Sequence, residues 1–377
     1  MISDKTTKFR PGKLQKLLIS PLVLISLFGL PPLLLNLIFL SEQWGIEHTL
    51  YLEGIIFFQI TYITSRLILF QNRKYYYYNI SASSLAIKIY WMLNLISALI
   101  SIYLFVKIGI LGSGDFLYNL RFRYSYEAPT LFGSEYFSLF GLSLSIYYAF
   151  NKSNSFMLLS LLPPVLAGIA MGGRGTVLFP VAAVFLVYLS MHRVTIVQFI
   201  SALVFLLSML LAMTFNSGKT ELLGMFFVIP YVANGISAFR EWYLDSSITN
   251  CLGKFGGIIG STLNALSDNK CLDVATNVPD GVFNVFTYLS APYQFGGESA
   301  LLISMALLGI LYALLVYASQ RTVFFKAMLA LYSYPLIMIF YDWFFSLTTY
   351  IYMIFLLAPL MFKISIVGRK NMQENDK

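Results

Sequence analysis

The chain is poor in charge, cysteine and histidine, and each shortage removes a class of function. Only 11% of its 377 residues are charged, against ~25% in an average soluble domain. Hydrophobic residues make up 58% and the mean hydropathy is +0.74. A water-soluble fold of this size could not bury so much apolar surface, so a soluble enzyme or nucleic-acid binder is excluded. With two Cys and no CxxC, a disulfide-rich scaffold is excluded as well. His48 and His192 stand far apart in sequence, which argues against a histidine metal site, and no metal or cofactor is expected. P-loop, GxGxxG, HExxH and GxSxG motifs are missing from any supporting context. The cytoplasmic loops are too short for a nucleotide-binding domain.

What the sequence does have is long apolar runs and aromatics. A helix crosses the hydrocarbon core in about 20 apolar residues. On that ruler the spans fall at 17–40, 50–70, 85–111, 131–150, 156–171, 176–191, 195–215, 299–318, 322–340 and 343–363. The run 17–40 is too long for a cleavable signal peptide and lacks its small-residue cleavage pattern. The expected fold is therefore all-α, a single polytopic membrane domain over 1–377 with about ten transmembrane helices. The fifth and sixth runs are short and read as a pair that dips in and out around Gly172-Gly173-Arg174-Gly175.

The net charge of +8 could point to nucleic acid. Its basic residues, however, lie in loops between apolar runs, where they set membrane orientation. The bilayer is the expected partner, and nucleic acid is not. Run 222–239 is apolar but interrupted by Pro230, Asn234 and Gly235. Treated as interfacial or re-entrant, it leaves Lys and Arg in excess on the cytoplasmic side and acids in excess outside. Treated as a full span, it would move Arg321, Arg369 and Lys370 outside, against the positive-inside rule. Both termini then read as cytoplasmic, and 216–298 as one long external region that includes 222–239. Cys251 and Cys271 lie in it, as a disulfide candidate or as two unpaired thiols. Tyr75–Tyr78, after Arg73-Lys74, reads as an interfacial aromatic belt.

The external side carries the candidate chemistry. Arg121 and Arg123, followed by Tyr124, either clamp a phosphate through guanidinium forks, with tyrosines stacking on sugar rings, or snorkel toward headgroups. Arg174 sits among glycines with Thr176 opening the next helix, which makes either an oxyanion or pyrophosphate site or a tight turn. Arg240 precedes Glu241 and is either a phosphate contact or half of an ion pair. Glu298, Glu135 and Asp342 lie near external helix ends, as general bases or as helix N-terminal charges. His48 reads as an exposed loop residue.

The ordered set of these features resembles the O-antigen polymerases, the Wzy-type repeat-unit polymerases. It runs from the Leu120-Arg121-Phe122-Arg123-Tyr124 loop through the Gly173-Arg174-Gly175-Thr176 tip and the Tyr231, Asn234, Gly235 stretch to one long external loop. That loop closes with Asn284-Val285-Phe286-Thr287-Tyr288-Leu289 and then Tyr293-Gln294-Phe295-Gly296, leading into Gly309. The resemblance covers about 110–320. It implies a GT-C-like inner-membrane glycosyltransferase that moves a growing glycan from undecaprenyl diphosphate onto an incoming lipid-linked repeat unit at the periplasmic face. It also implies a flippase and a chain-length regulator as partners. Arg121, Arg123, Arg174 and Arg240 would hold diphosphates, with Tyr124 and Tyr293 against substrate and Glu298 standing in where the family's Asp-Phe-Gly reads Gln294-Phe295-Gly296 here. Arginines would then take the place of a divalent ion in stabilising the leaving group.

Three other readings compete. A lipid-oligosaccharide flippase or transporter should show paired halves and polar spans, which this chain lacks. An O-antigen ligase, by family resemblance, should carry a histidine in the long loop, and 240–298 has none. A structural membrane subunit would need no external arginine set.

Overall fold

The computed structural model describes residues 20–39, 43–69, 82–112, 116, 119–120, 134–151, 153–170, 174–192, 197, 201, 204, 232–233, 235–240, 276–278, 281–283, 287–320, 322–339 and 348–361. Within these the fold is helical. In chain order the helices are α1 (Pro21–Phe39), α2 (Ile46–Leu69) and α3 (Ser84–Leu104), whose axis continues as a π-helical segment, Phe105–Ile110. Then come α4 (Ser134–Phe150), α5 (Asn154–Ala170), α6 (Arg174–Met191), α7 (Ser290–Ser319), α8 (Val323–Ile337) and α9 (Thr348–Met361). Each overlaps an apolar run read from the sequence, while the run 195–215 lies almost wholly outside the described residues. One addition breaks the helical pattern. Strands β1 (Thr276–Val278) and β2 (Gly281–Phe283) pair antiparallel, with Asn277 opposite Val282.

Among the described residues, four segments are long and apolar enough to cross a membrane: Pro21–Phe39, Ile46–Leu69, Ser84–Ile110 and Ser290–Ser319. The surface agrees with a bilayer setting. On α3, Met92, Leu95, Leu99 and Ile102 form an exposed apolar stripe at helical spacing, while Asn94, Ser97 and Ser101 on the opposite face are buried. In water this inversion would forfeit most of the hydrophobic driving force. In lipid it is what helix association requires, because packing and polar contacts hold helices together there. Asn94 Nδ2 donates to the Ser160 carbonyl at 3.1 Å, and the Ser145 and Ser160 hydroxyls meet at 2.9 Å, so α3, α4 and α5 are tied by interior polar contacts. Pro31-Pro32, Pro163-Pro164 and Pro335 sit inside helices, which lipid-embedded bundles tolerate because neighbours re-satisfy freed backbone groups.

The helices form two packed groups. In the first, α2 lies along α7 and α1 joins them; in the second, α3 to α6 pack with α9. Helix α8 bridges them, giving Leu336 to the first core and Phe324, Met328 and Leu331 to the second. The α2–α7 seam depends on a close approach. A Cβ on Gly309 would stand 2.6 Å from the Phe58 carbonyl oxygen and against the Thr61 hydroxyl. Gly309→Leu is therefore expected to part the seam, at a cost of about 2 kcal/mol or more from overpacking. The check is the thermal midpoint of the detergent-solubilised full chain; an unchanged midpoint would refute the seam.

A polar latch at the α1–α2 hairpin

Four of the polar side chains at one end of the first helix group meet in a single network. Asn36 stands near the C-terminal end of α1, and Glu47 and His48 open α2. All three are buried, His48 at 1% and Asn36 at 0% exposure. His48 is thus corrected from an exposed loop residue to an interior one. It stands in the first turn of α2 because the helix begins four residues ahead of the apolar run at 50, and burial follows from packing against α1.

The hydrogen bonds assign the protons. Gly45 N–H donates to His48 Nδ1 at 3.0 Å, so Nε2 carries the hydrogen and donates to Asn36 Oδ1 at 2.8 Å. Asn36 Nδ2 then spends both its hydrogens on the helical stretch near Arg240: on the Ala233 carbonyl and on Ser237 Oγ, each at 2.8 Å. Ala233, Ile236, Ala238 and Phe239 of this stretch are all fully buried. The described part of 222–239 is therefore seated in the protein core. Trp44 lies over the imidazole, ring centroids 5.5 Å apart, with its Nε1 donating to Thr49.

Glu47 faces this network with its charge. Its Oε1 is 3.0 Å from His48 Nδ1 and 3.9 Å from Arg240 Nη1, and no hydrogen bond reaches that oxygen. The pair is asymmetric, since the Arg240 side chain is 53% exposed and that of Glu47 only 6%.

The end of the long loop is pinned beside the latch. Thr287 adopts φ 63°, a left-handed conformation costly for a β-branched residue, and is held there by contacts with Leu289 N and Ser290 Oγ. Next to it, buried Tyr288 donates its hydroxyl to the Tyr51 carbonyl of α2, and its backbone N–H to that of Ile339. Tyr293 meets Phe239 edge-on, ring centroids 5.4 Å apart, which brings it alongside the Arg240 stretch. Helix α7 then breaks at Gly296-Gly297; Gly297, at φ 68° and ψ −155°, occupies a region open to glycine alone. The main helix restarts at Glu298, which is exposed.

The structure thus brings Tyr293 alongside the Arg240 stretch through Phe239; Glu298 follows after the Gly296-Gly297 break. Arg174 opens α6, two residues ahead of the Thr176 start read from the sequence, and its side chain lies outside the described residues. Also outside them lie Arg121, Arg123, Tyr124, Cys251, Cys271 and Asp342, together with the side chain of Glu135. Glu47 and Asn36 were not anticipated from sequence. The available signal was an acid in the first turn next to a histidine, at the mouth of an apolar run. No protein family, curated protein or solved structure matches this chain.

Proposed function

We propose that the chain is an O-antigen polymerase. In this reading it is a GT-C-like glycosyltransferase of about ten transmembrane helices in the bacterial inner membrane, with both termini cytoplasmic. It joins undecaprenyl-diphosphate-linked repeat units at the periplasmic face, alongside a flippase and a chain-length regulator. The observation that supports the reading is the setting of Arg240: its side chain is 53% exposed beside Glu47, the preceding Phe239 meets Tyr293 where the chain re-enters the helices, and the exposed Glu298 follows five residues on. The bilayer setting fits a substrate that is itself a lipid.

The chemistry follows from an activated donor. The acceptor hydroxyl oxygen attacks the anomeric carbon, the bond from that carbon to the diphosphate oxygen breaks, and the electron pair leaves with the diphosphate. Arg121, Arg123, Arg174 and Arg240 stabilise that charge, and Glu298 takes the hydroxyl proton. A single displacement inverts the anomeric centre, so an α-linked donor gives a β linkage, and product NMR showing retention would contradict it. The reading is tested by deleting the gene in its native host and separating the extracted lipopolysaccharide on a gel. The expected pattern is loss of the ladder with core plus one repeat retained. Loss of that single repeat as well would instead indicate a flippase or a ligase.

A further inference from the structure

We infer that Glu47 is a positioning residue for Arg240: it occupies one edge of the guanidinium and turns the other edge outward, toward a pyrophosphate-type anion. The inference rests on the polymerase reading only in identifying that anion as a lipid diphosphate.

Three observations support it. First, the buried Glu47 Oε1 accepts no hydrogen bond; the groups facing it are His48 Nδ1 at 3.0 Å on its own helix and Arg240 Nη1 at 3.9 Å, the charge that another segment brings to it. Second, guanidinium has five donors in a rigid fork, so a carboxylate on one edge leaves a second edge free for a phosphate. The Arg240 side chain is 53% exposed, so part of it reaches outside the core. Third, the backbone bearing Arg240 is fixed to the same hairpin, since His48 holds Asn36 and Asn36 holds Ala233 and Ser237. Both ends of the pair therefore refer to one rigid frame, the α1–α2 hairpin. A carboxylate kept only to neutralise Arg240 would need no such frame.

The test uses the full chain in lipid nanodiscs. Phenylglyoxal labels arginines, and the adduct at Arg240 is quantified on its own peptide by mass spectrometry, with and without inorganic pyrophosphate. In the wild type, pyrophosphate at about ten times its dissociation constant is expected to slow labelling at Arg240 by about tenfold. Glu47→Gln is expected to abolish that protection, and Glu47→Asp, the substitute if the Gln variant fails to insert, to reduce it. Equal protection in the variants, or none in the wild type, would overturn the inference.

Kinetics with lipid-linked repeat units supply the second readout. Glu47→Gln should lower kcat and kcat/KM by about tenfold with KM within about twofold, since Arg240 acts on the departing charge, and should add nothing in an Arg240→Ala background, because residues acting through one another are non-additive. Losses that multiply would overturn the positioning role. A wild type that elongates no repeat unit would sink the polymerase reading alone, leaving the labelling result to decide the role of Glu47.

Discussion

Replacing Arg174 by alanine is expected to collapse the lipopolysaccharide ladder to core plus a single repeat, with the protein still inserted in the membrane. Arg174 opens α6 directly after a glycine pair, so the backbone there can approach a ligand and the helix N-terminus favours an anion. A cation aimed at the departing diphosphate acts mainly in the transition state. Its removal should therefore cost about 10²-fold or more in turnover. Arg174→Lys keeps the charge but loses the fork and should recover only part of the rate. A full ladder from Arg174→Ala would reduce the residue to a turn.

The second large effect is on stability. Asn36→Leu removes the acceptor of His48 Nε2 and the donor to Ala233 and Ser237, three hydrogen bonds at 2.8 Å each, of which the first two are buried and the third partly so. Leucine is close to asparagine in size but offers none of these bonds, so the buried His48 N–H and Ala233 carbonyl and the half-buried Ser237 hydroxyl lose this partner. At about 1–3 kcal/mol for each orphaned group, the expected loss is about 2–4 kcal/mol once relaxation is allowed. The stretch carrying Arg240 should come loose before the bundle does. Limited proteolysis within 216–298 should thus accelerate in Asn36→Leu and remain slow in Ser237→Ala, which breaks one bond of the three. Identical cleavage in Asn36→Leu and wild type would mean that the latch does not hold this segment.

The helices were legible in the sequence to the extent that hydropathy alone defines them. A run of apolar residues in lipid has no alternative to a helix, because each backbone group must be satisfied within its own segment. Boundaries were less legible. Helix α2 starts at Ile46, ahead of the apolar run, because Glu47 and His48 are held by the fold and not by hydropathy. Helix α7 begins at Ser290, before its apolar run at 299, since the Gly296-Gly297 break joins a short buried turn to the span. The strand pair at 276–283 had a readable signal, Pro279-Asp280 followed by Gly281, a turn sequence between two β-prone triplets.

The site was legible in part. Charged residues in an apolar chain are few, so Arg240 and Glu298 stood out. The latch did not, because Asn36 and Ser237 are 201 positions apart and neither carries a charge. Only the folded hairpin shows that these groups complete each other. The closeness of Tyr293 to the Arg240 stretch had the same origin, a ring contact through Phe239 that no local pattern encodes.

The central claim is that this chain elongates lipid-linked glycans by itself. The most direct measurement reconstitutes the purified full-length protein in liposomes with undecaprenyl-diphosphate-linked repeat units and follows both products. The account predicts glycans of two or more repeats on lipid diphosphate, with one undecaprenyl diphosphate released for each linkage formed. Unchanged repeat units, or repeat units merely moved across the bilayer, would contradict it.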